Sequence, residues 1–203
     1  MMLPKQIILA SGNQKKLKEL SHILSDFSVE LIPQTQLNVT DAVEDGLTFV
    51  ENAIKKARHA CRHTGKPAIA DDSGIEVDYL EGRPGIYSAR FAGEQANDEN
   101  NLQKLLDELN NVPQEKRTAR YQCIIVYMQH ENDPTPIICQ AHWEGRILTE
   151  KVGDGGFGYD PIFYCEQSQK SAAQMTPEEK AAISHRGKAL AQFKQQFSEL
   201  YTK

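Results

Sequence analysis

The stretch Ala68-Ile69-Ala70-Asp71-Asp72-Ser73-Gly74 carries a short apolar run that stops in two adjacent carboxylates and a Ser-Gly pair. Read locally, it is a buried strand ending at a turn. Ile75, Val77 and Tyr79 then alternate with Glu76 and Asp78 as a half-exposed strand running out of that turn. Two acids at a strand end suit an oxygen-preferring cation such as Mg²⁺. A Lys or Arg partner could neutralise the pair instead, and a solvated turn, with Asp and Ser capping their own backbone, is the plain alternative. The rest of the chain weighs between these readings.

Outward from that stretch the chain alternates elements. Ile7 to Ala10 reads as a short buried strand, Ser11-Gly12-Asn13 as a tight loop, and Leu17, Leu20 and Leu24 as one face of a helix. Thr48-Phe49-Val50-Glu51 is a capping box, and Phe49, Ala53, Ala57 and Ala60 mark the apolar stripe of a helix that stops near Gly65. A Gly82 to Gly85 turn precedes an amphipathic helix written by Leu102, Leu105, Leu106 and Leu109, capped by Asn97 or Asp98 and ended by Val112-Pro113. The β-forming runs 119–129 and 137–143, separated by a Pro-rich connection, predict an antiparallel pair. A glycine-rich loop, Asp154 to Pro161, with two exposed aromatics, Phe157 and Tyr159, leads into Ile162-Phe163-Tyr164. Thr176-Pro177-Glu178-Glu179 then caps one long C-terminal helix striped by Ile183, Leu190, Phe193, Phe197 and Leu200. With no repeat, linker or low-complexity tract, residues 1–203 are expected to form a single α/β domain with a mixed sheet.

Composition narrows the class. The 203 residues are 39% hydrophobic and 25% charged, enough to bury most of the apolar surface in one or two lobes. A net charge of -5 argues against a polynucleotide binder but leaves room for a small anion held by a few local cations. Cys61, Cys123, Cys139 and Cys165 show no Cys-x-x-Cys spacing, so reduced, buried thiols are expected. The apolar run Ile7 to Ala10 is too short for a signal or membrane segment, and the expected compartment is the cytoplasm.

Three features then point to one nucleotide site. The loop Ser11 to Lys16 opens a helix whose first N–H groups lack internal partners, and Lys15 and Lys16 add positive charge there. Lys16 and the loop amides would hold phosphate oxygens, Glu44 with Asp71 or Asp72 would hold Mg²⁺ bridging them, and Phe157 could stack on a base. Singly, each has an ordinary structural explanation, a Ser/Asn helix cap for the loop among them. Their joint occurrence favours the site.

Ser11-Gly12-Asn13-x-x-Lys16, Gly46-x-Thr48-Phe49-x-Glu51-Asn52-Ala53, Ala70 to Gly74, Pro84-Gly85-x-Tyr87-Ser88-Ala89-Arg90, Gly156 to Pro161 and Ser184-His185-Arg186 together resemble the inosine triphosphate pyrophosphatase family, in order and over nearly the whole chain. The resemblance implies an elongated mixed β-sheet flanked by helices, two lobes with a nucleotide cleft between them, and a homodimer. It implies Mg²⁺-dependent hydrolysis of inosine, deoxyinosine and xanthosine triphosphates to the monophosphate and pyrophosphate. It makes Ser11, Gly12, Asn13, Gln14, Lys15 and Lys16 the triphosphate loop, Asp72 the general base and a metal ligand, Glu44 the other metal ligand, and Ser73 a neighbouring substrate contact. Phe157, Gly158, Tyr159, Asp160, Lys180, His185 and Arg186 become base-side contacts.

The competing readings are a pyrophosphatase of the same architecture acting on pyrimidine or modified-pyrimidine nucleotides, and a protein that senses a nucleotide without cleaving it. Only base-side residues separate the first from the purine enzyme. An intact Asp72 argues against the second, because binding alone needs no base.

Overall fold

The strand that starts at Ala68 does not stop at the carboxylates. In the computed structural model, which describes residues 3–201 apart from the side chains of Gln14 and Lys15, Ala68–Val77 is one unbroken strand, β3. The expected turn at Asp71-Asp72-Ser73-Gly74 is absent. These residues are weak strand formers, yet β3 is an interior strand of the sheet, with β1 (Gln6–Leu9) on one side and β4 (Thr118–Met128) on the other. Two ion pairs, described below, neutralise its carboxylates, so tertiary pairing overrides local propensity.

The seven strands run in the order β2-β1-β3-β4-β5-β6-β7, with β2 at Glu30–Pro33, β5 at Ile137–Ile147, β6 at Phe163–Cys165 and β7 at Lys170–Ser171. β1 pairs in parallel with β2 and β3, whereas β5, β6 and β7 pair antiparallel in succession. The expected mixed sheet is present. The helices are α1 (Gln14–Ser25), α2 (Phe49–Thr64), α3 (Asp98–Glu108), α4 (Pro177–Ile183) and α5 (His185–Tyr201).

The chain divides into two compact units. The first comprises Met1–Asp72, Cys123–Gln140 and Ala189–Lys203; the second comprises Ser73–Gln122 and Ala141–Lys188. In the first, Ile7, Ile8 and Leu9 of β1 are fully buried with Ala53, Ala57 and Ala60 of α2, as the periodicity predicts. Phe197 meets Phe27 and Tyr127 edge-on, at 5.1 and 5.2 Å between centroids. Such pairs contribute about 1 kcal/mol each beyond their burial. The second unit packs Ile75, Val77, Leu102, Leu105, Tyr121, Trp143 and Phe163 into its own core. Cys61, Cys123, Cys139 and Cys165 are buried and in no disulfide, and among the described residues no helix is long and apolar enough to cross a membrane.

Two caps differ from their sequence reading. Thr48 Oγ1 accepts from Glu51 N, but the Glu51 carboxylate takes the Leu47 N–H and the Thr48 hydroxyl rather than the Thr48 N–H, so only half of the capping box forms. The C-terminal helix is two helices. Thr176 and Glu179 form the full box of α4, but Ser184 is extended (ψ 161°), and its carbonyl and hydroxyl oxygens accept from Lys188 N and Gly187 N, opening α5 as an N-cap does. The break brings position 187 against α4. A Cβ on Gly187 would lie 1.8 Å from the Ala181 carbonyl oxygen, so only glycine permits this junction.

Candidate active site

In the first unit, β1 ends opposite the start of β3, Leu9 pairing with Ile69 and Ala10 N donating to Ile69 O. The loop Ser11-Gly12-Asn13 therefore leaves the carboxyl end of β1 beside the two carboxylates of β3, where parallel α/β sheets hold their ligands. Asn13 receives the α1 amides: its Oδ1 accepts from Lys16 N at 3.3 Å and its carbonyl from Leu17 N, while its own N–H donates to Ser11 Oγ. The plain cap reading of this loop is thus realised, and a phosphate would share these amides with it. Gln14 and Lys15 have side chains outside the described set.

Strand geometry sends successive side chains to opposite faces, and Asp71 and Asp72 each meet a different lysine. Lys16 Nζ lies 2.6 Å from Asp71 Oδ1; Lys56 Nζ donates to Asp72 Oδ1 at 2.7 Å and to Glu44 Oε2 at 3.1 Å. Both expectations for the acidic pair meet here: Glu44 and Asp72 do converge, and the cation between them in this structure is Lys56. Sequence reasoning passed over Lys56. The signal was present, because 49, 53, 56 and 60 lie along one helical stripe, and a lysine among Phe49, Ala53 and Ala60 sits on the buried side.

Burial sets the electrostatics. Desolvation raises the Asp72 carboxyl to about 6, against the lowering effect of Lys56 and with Glu44 and Asp71 adding repulsion. For Lys56, desolvation lowers the ammonium pKa, but the combined fields of Asp72, Asp71 and Glu44 more than compensate, and the net direction is upward. The two partners shift in ways that look opposed for an ion pair. Stoichiometry reconciles them: one lysine gains from three anions, whereas Asp72 gains from one lysine and is repelled by two neighbours.

Beside these groups is a cavity of about 180 Å³ lined by Ser11, Gly12, Lys16, Gln34, Asp41, Glu44, Lys56 and Asp71 among others. Three acids face two lysines there. A polyphosphate entering it would require further positive charge, and Glu44 and Asp72 are the carboxylates that could hold an oxygen-preferring cation such as Mg²⁺ there. The donor set therefore fits that ion. Among the described residues no cluster of three or more His, Cys, Asp or Glu could hold a metal, so the protein alone offers no complete cage.

The second unit assembles the other predicted residues. Asp160, 1% exposed, accepts at Oδ2 from Phe157 N and from Lys180 Nζ, and at Oδ1 from Tyr121 Oη. Lys180 Nζ lies 4.6 Å from the centroid of Phe157, whose ring is 40% exposed. Gly156 makes the loop possible. Its φ is +79°, and an added Cβ would fall 2.2 Å from Asp160 Oδ2. Tyr159, expected to be exposed, is buried and donates to Ser88 O, and Gly158 N donates to Asp98 Oδ2, so both fasten the loop from within. At the α4–α5 junction His185 and Arg186 are buried, and Arg186 Nη2 donates to Ser73 Oγ at 3.1 Å. Ser73 follows Asp72 directly in β3.

The profile of the Ham1 family matches residues 7–196. A dITP/XTP pyrophosphatase from Vibrio parahaemolyticus serotype O3:K6 is 58% identical over 186 residues, covering 92% of this chain and 93% of that one. One from Escherichia coli O157:H7 is 56% identical over 186 residues, covering 92% and 94%. Among solved structures, a HAM1 protein from Coxiella burnetii aligns with a TM-score of 0.92 at 48% identity, covering 98% of this chain and all of that one. A nucleoside-triphosphatase / dITP/XTP pyrophosphatase from Mycobacterium abscessus aligns at 0.77 and 41%, covering 92% and 97%. With a matched profile and relatives spanning nearly its full length, the chain belongs to the Ham1 family.

Proposed function

We propose that this protein is a Mg²⁺-dependent pyrophosphatase that hydrolyses dITP, ITP, XTP and dXTP to the monophosphate and pyrophosphate, removing deaminated purine nucleotides from the pool. The observation that carries the reading is Asp72, a buried carboxylate with a pKa near 6, shared with Lys56 and Glu44 and followed in the chain by the Ser73 that Arg186 holds. The names of relatives at 56 to 58% identity support the same activity.

In the proposed reaction, water attacks the α-phosphorus, the α–β anhydride bond breaks, and pyrophosphate departs with the electron pair. Asp72 orients that water and takes its proton; neighbouring cations favour its ionised form, so it accepts the proton while holding the water in line. Lys16 and the Ser11 to Asn13 loop neutralise and position phosphate oxygens, and Lys56 stabilises charge developing beside Asp72. Glu44 and Asp72 would hold the metal, and Mg²⁺, when bound, would supply charge neutralisation on the phosphates.

On the base side, Phe157 stacks on the purine, and Lys180, His185 and Arg186 present donors to position 6. Hypoxanthine and xanthine offer a carbonyl acceptor there and adenine an amino donor. A donor facing a donor in a buried site can discriminate on the order of 10⁴-fold. Residues 1–203 are proposed to act as one domain, since each unit is assembled from separate stretches of chain. A cytoplasmic homodimer is the assembly the family resemblance supports.

The test is pyrophosphate release from ITP, dITP, XTP, ATP, GTP and dUTP with Mg²⁺, by wild type and Asp72→Asn. Release confined to ITP, dITP and XTP and lost in Asp72→Asn is expected. Preferential cleavage of dUTP would move the assignment to pyrimidines, and dITP binding without release would remove the enzymatic reading. An Arg186→Ala variant whose dITP-to-dATP ratio matches wild type would transfer the base-reading role to another donor.

A further inference from the structure

Tyr121 touches two of the proposed base-side groups with one side chain. Its hydroxyl donates to Asp160 Oδ1 at 3.2 Å, and Asp160 in turn holds Lys180 Nζ and the Phe157 amide through its other oxygen. Its ring lies against His185, with centroids 4.6 Å apart and planes 10° from parallel. Phe163, 4.6 Å from the Tyr121 centroid, and Trp143, stacked at 6.2 Å, hold that ring from the core.

We propose that Tyr121 is the positioning residue of the base site, fixing the Asp160–Lys180 pair through its hydroxyl and the plane of His185 through its ring face. The inference rests on the assignment of Asp160, Lys180 and His185 to the base. It adds a residue that does not itself touch the substrate. The chemistry favours a donor at this position. Asp160 is almost fully buried and takes bonds at both oxygens, so a hydroxyl on Oδ1 sets the rotation of the carboxylate and therefore where Lys180 can point. Burial and the neighbouring Asp160 charge hold the Tyr121 phenol well above its ordinary pKa, which keeps the proton on the oxygen and the bond in one direction. Stacking against a fixed aromatic plane confines the imidazole N–H to that plane.

Tyr121→Phe separates the two contacts, because it keeps the ring and removes the hydroxyl. Loss of a hydrogen bond to a carboxylate predicts about a tenfold rise in KM for dITP with kcat within about twofold, the pattern of lost binding common to ground and transition states. The dITP-to-dATP ratio of kcat/KM falls with it. Leu105→Ala, in the same core but on α3, lowers Tm and leaves KM and the ratio unchanged. In a double-mutant cycle with Asp160→Ala, the hydroxyl effect disappears once its acceptor is gone.

Three results overturn the proposal. They are a Tyr121→Phe enzyme with wild-type KM and selectivity, a Leu105→Ala enzyme that shifts both as much as Tyr121→Phe does, and effects that simply add in the cycle. The base-site assignment itself fails by a different result: Asp160→Asn with unchanged KM and unchanged discrimination.

Discussion

Lys56 places its ammonium 2.7 Å from Asp72 Oδ1 and 3.1 Å from Glu44 Oε2, so the group that neutralises the proposed base is a lysine carried on the apolar stripe of α2. The pair is mutual: Lys56 is the main influence holding the Asp72 pKa down against burial. In Lys56→Met, the Asp72 pKa rises above 6 and the acid limb of the kcat/KM profile moves to higher pH. kcat drops on the order of 10²-fold through lost charge stabilisation. Steady-state kinetics between pH 5 and 9 measure both, and an unmoved acid limb would show that Lys56 does not govern Asp72.

Asp72 should also weaken the fold it serves. Its folded pKa, about 6, lies above the value near 3.8 expected when unfolded, so the folded state binds the proton more tightly. Its contribution to stability is therefore greatest below about pH 4, declines as pH rises through 6, and is flat above. A shift of this size corresponds to about 3 kcal/mol, part of which Asp72→Asn forfeits by removing the charge that pairs with Lys56. The expected net result for the metal-free variant is a Tm about 4 °C above wild type at pH 8, with the difference shrinking towards pH 4. Calorimetry in EDTA checks it, and a variant less stable than wild type at pH 8 would reverse the sign.

Gly187 sits where α5 folds back on α4. Because an added Cβ would lie 1.8 Å from the Ala181 carbonyl oxygen, Gly187→Ala must move the junction that carries His185 and Arg186. Backbone displaced by overpacking costs about 2 kcal/mol or more, and the expected Tm loss is about 5 °C or more. The KM for dITP rises as well. Ala181→Gly, which leaves the carbonyl in place, does not rescue it.

Metal dependence can be read without turnover. Mg²⁺ with a non-hydrolysable dITP analogue at roughly 100 times its Kd stabilises wild type by about 2.7 kcal/mol. In Glu44→Gln the Mg²⁺-dependent part of that shift is lost, while any shift from the analogue alone remains. Chelation abolishes pyrophosphate release, and added Mg²⁺ restores it. An identical Mg²⁺-dependent shift in wild type and Glu44→Gln would remove Glu44 from the ligand set.

Much of the architecture was legible from local patterns. The apolar stripe of α2, its stop at Gly65, the Asn97 cap of α3 and the Thr176–Glu179 capping box all form as periodicity and cap chemistry predict. The misreadings share one cause. Asp71 to Gly74 looks like a turn, Tyr159 looks exposed and 177–201 looks like a single helix because each inference used neighbours in sequence only. Strand pairing on both sides, a carbonyl acceptor on Ser88 and the packing of Gly187 against Ala181 are long-range or junction-specific, and they reverse the local preference.

The chemical inventory is written in the residues themselves: carboxylates at 71 and 72, a cationic loop at the head of α1, a glycine-rich aromatic loop, and the order of motifs that marks the family. How that inventory is shared out depends on folding in three dimensions. Extended backbone separates Asp71 from Asp72 and gives each its own lysine, and burial raises the Asp72 pKa. Both depend on which groups the fold removes from water together. Charges act through space, and the two residues that most directly bear on Asp72, Lys56 by pairing and Glu44 by repulsion, lie 16 and 28 positions away along the chain.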